Sequence, residues 1–134
     1  MTRTIASLPV RCRDCGGTGR LAFGDTFVGG QLKNWEAFRC SSCPSRYEAD
    51  GGGRLADDLR RLVLAHRALR VDPAAPVSRL ATLRAMRTLF GGTPSEARTR
   101  WALLLAGEPM TAGEAAQLCS LVPGLACIEC DFTP

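Results

Sequence analysis

Residues 79–98 read RLATLRAMRTLFGGTPSEAR. At 3.6 residues per turn, a helix over 79–90 gathers Thr82, Ala85, Met86, Leu89 and Phe90 on one side and Leu80, Leu83, Arg84 and Arg87 on the other. The first face is a core contact. The second sets leucines among arginines and needs a separate explanation. Gly91 and Gly92 end this helix. Thr93 then supplies an N-cap, with Pro94 at the first helical position and Glu96 three residues past the cap, so a second helix starts at once.

The pattern continues outward in both directions. Downstream, a third helix begins at Thr111 with Glu114 three residues later, runs through AAQLCSLV and stops at Pro123 and Gly124. The stretch LACIECDF that follows is strand-like. Upstream, ALRV at 68–71 is a short strand closed by Asp72, Pro73 and Pro76. Before it, LADDLRRLVLAHR at 55–67 carries Leu55, Leu59, Leu62, Val63 and His66 at helical spacing. His66, the single histidine, is expected to be a partly buried, satisfied side chain on that stripe.

Three glycines at 51–53 make the clearest break in the chain, because glycine loses the most backbone freedom in any regular element. They predict a linker at 51–54 between a front unit, 1–50, and a helical unit, 55–134. The front unit has short β-prone runs, LAF at 21–23, TFV at 26–28 and WEAF at 35–38, punctuated by Gly24, Asp25, Gly29 and Gly30. They predict a three-stranded ribbon. The fold class is therefore α+β, a small β unit followed by a compact domain with an extra leading helix.

The chain has seven cysteines. Cys12-x-x-Cys15 and Cys40-x-x-Cys43 are two knuckles, each able to offer a pair of thiolates to one tetrahedral zinc. Gly16 and Gly17 leave room for backbone amides to approach the sulfurs. The motifs CRDCGGTG and FRCSSCPS resemble those of the zinc-ribbon family. Four protein ligands leave zinc no open position, so the ion is expected to be structural, supplying stability that about fifty residues of small sheet lack. Four free core cysteines are the plainer alternative. Cys127 and Cys130 lie in a strand, where residues three apart point to opposite faces. With Cys119 they read as small hydrophobic filler, a redox pair or a second metal site.

Over residues 68–132, the order strand, helix, helix, link, helix, strand resembles the C-terminal domain of the bacterial ribosomal stalk protein and the similar fold of the Clp protease adaptor. RLATLRAMRTLFGGTPSEAR carries the resemblance, through its basic positions, glycine turn and Glu-Ala-Arg. MTAGEAAQLCSLVPGLACIEC is similar to the family's last helix, turn and final strand. The resemblance implies a β-α-α-β-α-β domain. It also implies that Arg79, Leu80, Leu83, Arg84, Arg87 and Arg98 form a protein-docking face, an apolar anchor with a basic rim suited to an acidic partner. The adaptor family's amine-recognising residues fall at VDPAAP and WALLLAGE, where Asp72 alone remains, and a zinc ribbon stands where the stalk has its dimerisation segment. The leading helix at 55–67 offers an alternative, in which it covers Leu80 and Leu83.

Net charge is +4. Five arginines against one glutamate between 79 and 100 account for that excess. No apolar run is long enough to span a bilayer, and the first residues lack a signal-peptide core, which leads to the expectation of a cytoplasmic protein. No catalytic constellation surrounds His66, and there is no phosphate-binding glycine loop, so neither an enzyme nor a small-molecule substrate is expected. The function expected is a protein–protein interaction adaptor. The alternative is a nucleic-acid binder, with Arg11, Arg13, Arg20, Lys33, Arg39 and Arg46 around the zinc ribbon and Trp35 and Phe38 for stacking, diluted by Asp14, Asp25, Glu36 and Glu48.

Overall fold

The structure is a computed structural model that describes residues 3–133. It is α+β: a four-stranded antiparallel sheet, a two-stranded sheet and four helices. The first sheet is a meander of β1 (Arg3–Arg11), β2 (Thr18–Val28), β3 (Gln31–Cys40) and β4 (Arg46–Gly52), each strand pairing with the next. The three short runs expected from sequence account for only β2 and β3, and the sheet gains β1 ahead of the first knuckle and β4 after the second. Pro9 is tolerated there because β1 is an edge. LAF and TFV belong to one strand, with Gly24 and Asp25 paired through to Trp35 and Asn34. Gly29 and Gly30, at φ 60° and 76°, make the two-residue turn between β2 and β3.

The glycines at 51–53 do not stand apart from the sheet. Gly52 and Gly51 close β4 opposite Lys33 and Asn34, and the Asn34 amide donates to the carbonyls of Gly52 and Gly53. Helix α1 (Asp57–His66) then packs on β1, β2 and the short strand β5 (Ala68–Val71). It buries Val63 and Leu64, with Leu59 half-buried, whereas Leu62 and His66 are exposed, so the stripe is rotated from its expected position. Val63, Phe23 and Leu55 form one small cluster between α1 and the sheet.

The larger core lies among α2 (Arg79–Phe90), α3 (Pro94–Leu105), α4 (Ala112–Leu121) and β5. Met86, Leu118 and Val71 are at its centre. Strand β5 is central: β6 (Cys127–Cys130) pairs with it on one side, and on the other Leu69 exchanges both backbone hydrogen bonds with Met110. Of the four helices expected from sequence, α1 starts without a side-chain cap and the other three are capped. Ser78 accepts from the Ala81 amide, Thr93 accepts from the Glu96 amide, and Thr111 with Glu114 makes a full capping box.

Helix α4 also lies against β2, and Gly113 makes the approach possible. A Cβ there would stand 2.9 Å from Asp25 Oδ1 and 3.0 Å from Leu32 Cδ1. At this contact the Thr111 hydroxyl donates to the fully buried Asp25 carboxylate. No described helix is long and apolar enough to cross a membrane.

Candidate metal centre and basic helix face

The two knuckles converge at one end of the sheet because the register places Gly19 opposite Cys40, so each pair sits at the end of neighbouring strands. Tight turns shape them. The Cys12 amide donates to the Gly17 carbonyl at 2.8 Å, and the Cys40 amide to the Ser45 carbonyl at 3.0 Å. Gly16, at φ 72°, takes the backbone conformation that this turn requires. The four sulfurs all lie within 4.8 Å of one another, with Cys12 to Cys43 at 3.8 Å and Cys15 to Cys40 at 3.5 Å. A tetrahedral ion with metal–sulfur bonds near 2.3 Å needs sulfurs about 3.8 Å apart. The cluster therefore has the dimensions to hold one metal ion.

Its electrostatics favour thiolates at half of the sites. The backbone amides of Cys15 and then Asp14 pull the Cys12 thiol down to about 6, outweighing burial. The Ser42 amide, which donates to Cys40 Sγ at 3.3 Å, lowers Cys40 in the same way. The Ser45 amide favours the Cys43 thiolate too, but burial and the three neighbouring sulfurs outweigh it and push this thiol up to about 12. Four thiolates this close need a cation to share. Beneath them, Cys12, Cys40 and Phe38 are the buried residues of a small cluster, and Phe38 stacks on Tyr47 at 5.6 Å.

On α2 the docking residues separate into two groups. Arg79, Leu80, Arg84 and Arg87 are exposed, Leu80 at 58%, and so is Arg98 on α3. Leu83 is half-buried and packs against the main core with Leu89. Helix α1 lies on the sheet and leaves Leu80 uncovered. Phe90, placed by the helical wheel on the core side, is 45% exposed and lies under the Arg100 guanidinium at 4.5 Å.

Two further features lie outside these sites: a contact among the cysteines that the sequence left open as filler, a redox pair or a second metal site, and a cleft that the sequence did not indicate. Cys119 and Cys127 face each other at 3.9 Å, and their mutual contact lowers the Cys119 thiol to about 7. Strand and helix positions eight residues apart carry no local signal for this pair. A cleft of about 570 Å³ also lies between the β2–β3 turn and the ends of α2 and α4. Its cations are already engaged: Arg60 grips Glu114 with two bonds of 2.7 and 2.8 Å, Arg54 joins at 2.9 Å, and Arg100 reaches Glu108 at 3.5 Å. Burial alone would raise the Glu114 carboxyl, but Arg60 outweighs it and holds it below its ordinary range.

Comparisons with protein-family models, with curated proteins and with solved structures return no match to this chain.

Proposed function

We propose that the chain is a non-catalytic adaptor: a sheet pinned by a structural zinc carries a helical half whose α2 face captures an acidic, partly apolar protein segment. The observation that carries this reading is Leu80, 58% exposed on a helix whose neighbouring arginines, Arg79, Arg84 and Arg87, make no ion pair among the described residues. An isolated exposed leucine is ordinary. One ringed by unpaired guanidiniums offers a desolvated anchor with a charged rim. The order β5, α2, α3, α4 and β6 supports the resemblance to the stalk and Clp adaptor domains, although the middle strand expected there is reduced to a single bridge at Met110, and Leu83 is withdrawn from the face because it serves the core.

Zinc is the ion that suits four thiolates with no open position, because it tolerates tetrahedral sulfur geometry without redox chemistry. Metal analysis of the purified chain is expected to return one zinc per molecule, and cobalt exchange the absorption of a tetrahedral thiolate site. The docking face is tested by capture from host lysate, treated with nuclease, followed by direct titration of the recovered protein. Arg84→Glu with Arg87→Glu should abolish binding, and Leu80→Asp should weaken it at least ten-fold, with zinc content unchanged. Undiminished binding by both variants would sink the proposal.

A further inference from the structure

Helices cover one face of the four-stranded sheet and leave the other open. Phe23 turns inward to meet Leu55 and Val63. Residues of opposite parity on β2 and β3 therefore look outward, among them Arg20, Ala22, Trp35, Ala37 and Arg39. The register aligns three arginines across this open face. Arg20 lies directly opposite Arg39, and Arg39 directly opposite Arg46. All three are exposed.

Like charges placed directly opposite each other on neighbouring strands destabilise a sheet. With strands about 4.8 Å apart, Arg39 starts well within one Debye length of both neighbours, and Arg20 and Arg46, two strands apart, at about one Debye length. None of them forms an ion pair among the described residues, although Arg20 Nη1 donates to Ser7 Oγ at 2.9 Å. Arg11 and Arg13, also exposed, extend the charge toward the first knuckle. Such a row costs stability in the free chain and gains it when an anion lies along it.

We infer that the row Arg20, Arg39, Arg46 binds the sugar-phosphate backbone of a single-stranded nucleic acid lying across the open face. The next row toward the β2–β3 turn is Ser7, Ala22, Ala37 and Glu48, small except at the edge. Small side chains leave a flat floor over which unstacked bases fit. Beyond it, Trp35 lines a shallow hollow of about 370 Å³. Glu48 and Asp50 stand on this same face of β4. They oppose a broad anionic surface such as a lipid headgroup layer, but not a narrow strand that follows the arginines. No described helix projects from this face to enter a duplex groove. The surface is distinct from the α2 face, so the inference stands or falls separately from the adaptor reading.

Fluorescence anisotropy with a labelled 12-nucleotide RNA, the DNA of the same sequence, its blunt duplex and a poly-glutamate peptide tests the inference, using the full chain over a range of salt concentrations. Both single strands should bind, more tightly than the duplex or the peptide. The slope of log affinity against log salt should be about −2, from roughly 0.7 per neutralised phosphate for three arginines. Arg39→Ala should make that slope shallower by about 0.7. The triple variant Arg20→Ala, Arg39→Ala, Arg46→Ala should abolish binding, while Arg84→Glu with Arg87→Glu leaves it intact. The triple variant should also melt at a higher temperature than the parent, because cross-strand repulsion is gone. Absence of binding at low salt, an unchanged slope in the triple variant, tighter binding of the peptide, or a lower melting temperature would each overturn the inference.

Discussion

The sheet half and the helical half are held together by different means. The helical half has one core of eleven buried residues spread over β5, α2, α3, α4 and the segments that join them. The sheet half has two clusters of three buried residues, and one of those is completed by cysteines whose sulfurs form the metal centre. Hydrophobic burial alone gives the first a cooperative centre. The second is too thin for that, and would draw its stability from an ion held by the four sulfurs and from the helices that cover one of its faces.

The largest expected effect follows from removing the ion. Structural zinc contributes about 10–16 kcal/mol of apparent binding energy in small peptides of this type, and that energy is folding energy. Chelation, or Cys40→Ala, should therefore strip hydrogen-exchange protection from β2, β3 and β4 and leave the amides around Met86 and Leu118 protected. Simultaneous loss in both halves would break the comparison and make the chain one cooperative unit. The reciprocal experiment is Met86→Ala. Met86 is fully buried at the centre of the larger core, and its truncation should cost about 2–5 kcal/mol. Zinc content should stay at one per chain, because all four sulfurs are supplied by the other half.

The two halves are joined by the buried contact of Asp25 with Thr111. Burial raises the Asp25 carboxyl above its ordinary range, opposed by the Thr111 hydroxyl, with Glu114 raising it further and Arg60 lowering it. A carboxyl whose folded pKa is raised holds its proton more tightly in the folded chain. It therefore favours folding at acid pH, and that contribution is lost as pH rises through the folded pKa. Asp25→Asn should remove this component, so the stability of the variant relative to the parent should increase as pH rises from the ordinary carboxylate range toward neutrality. A constant difference would mean that Asp25 titrates normally. Thr111→Val removes both the donor to Asp25 and the N-cap of α4, an expected cost of about 1–3 kcal/mol in chemical denaturation.

Sequence was most informative where a local rule is sufficient. The end of α2 follows from Gly91, and the starts of α3 and α4 from Thr93 with Glu96 and Thr111 with Glu114, pairs only three residues apart. The doubled Cys-x-x-Cys spacing marks the metal cluster for the same reason. Features that depend on partners far along the chain were hidden. Asp25 with Gly24 looks like a turn until Thr111, 86 residues away, is present to receive the carboxylate. Strand β1 contains a proline that argues against a strand unless the strand is known to be an edge. Arg20, Arg39 and Arg46 stand out in sequence only as members of a scattered basic set around the ribbon, and their alignment in one row comes from register alone.

The smallest expected effect concerns the tie between α1 and β6. Arg67, just past α1, donates to Glu129 on β6 at 2.9 Å. The glutamate side chain is 70% exposed and the arginine 37%. A pair this wet gains little Coulomb energy and loses side-chain freedom when it forms, so exposed pairs contribute about 0.2–1 kcal/mol. With the helical half held by its core, Glu129→Ala should fall at or below the low end of that range, with the remaining effect vanishing in high salt. A loss above about 1 kcal/mol that persists in salt would show that α1 is fastened to the helical half through this pair rather than through its packing on β5. That outcome would move α1 from the covering layer of the sheet to a strut between the halves.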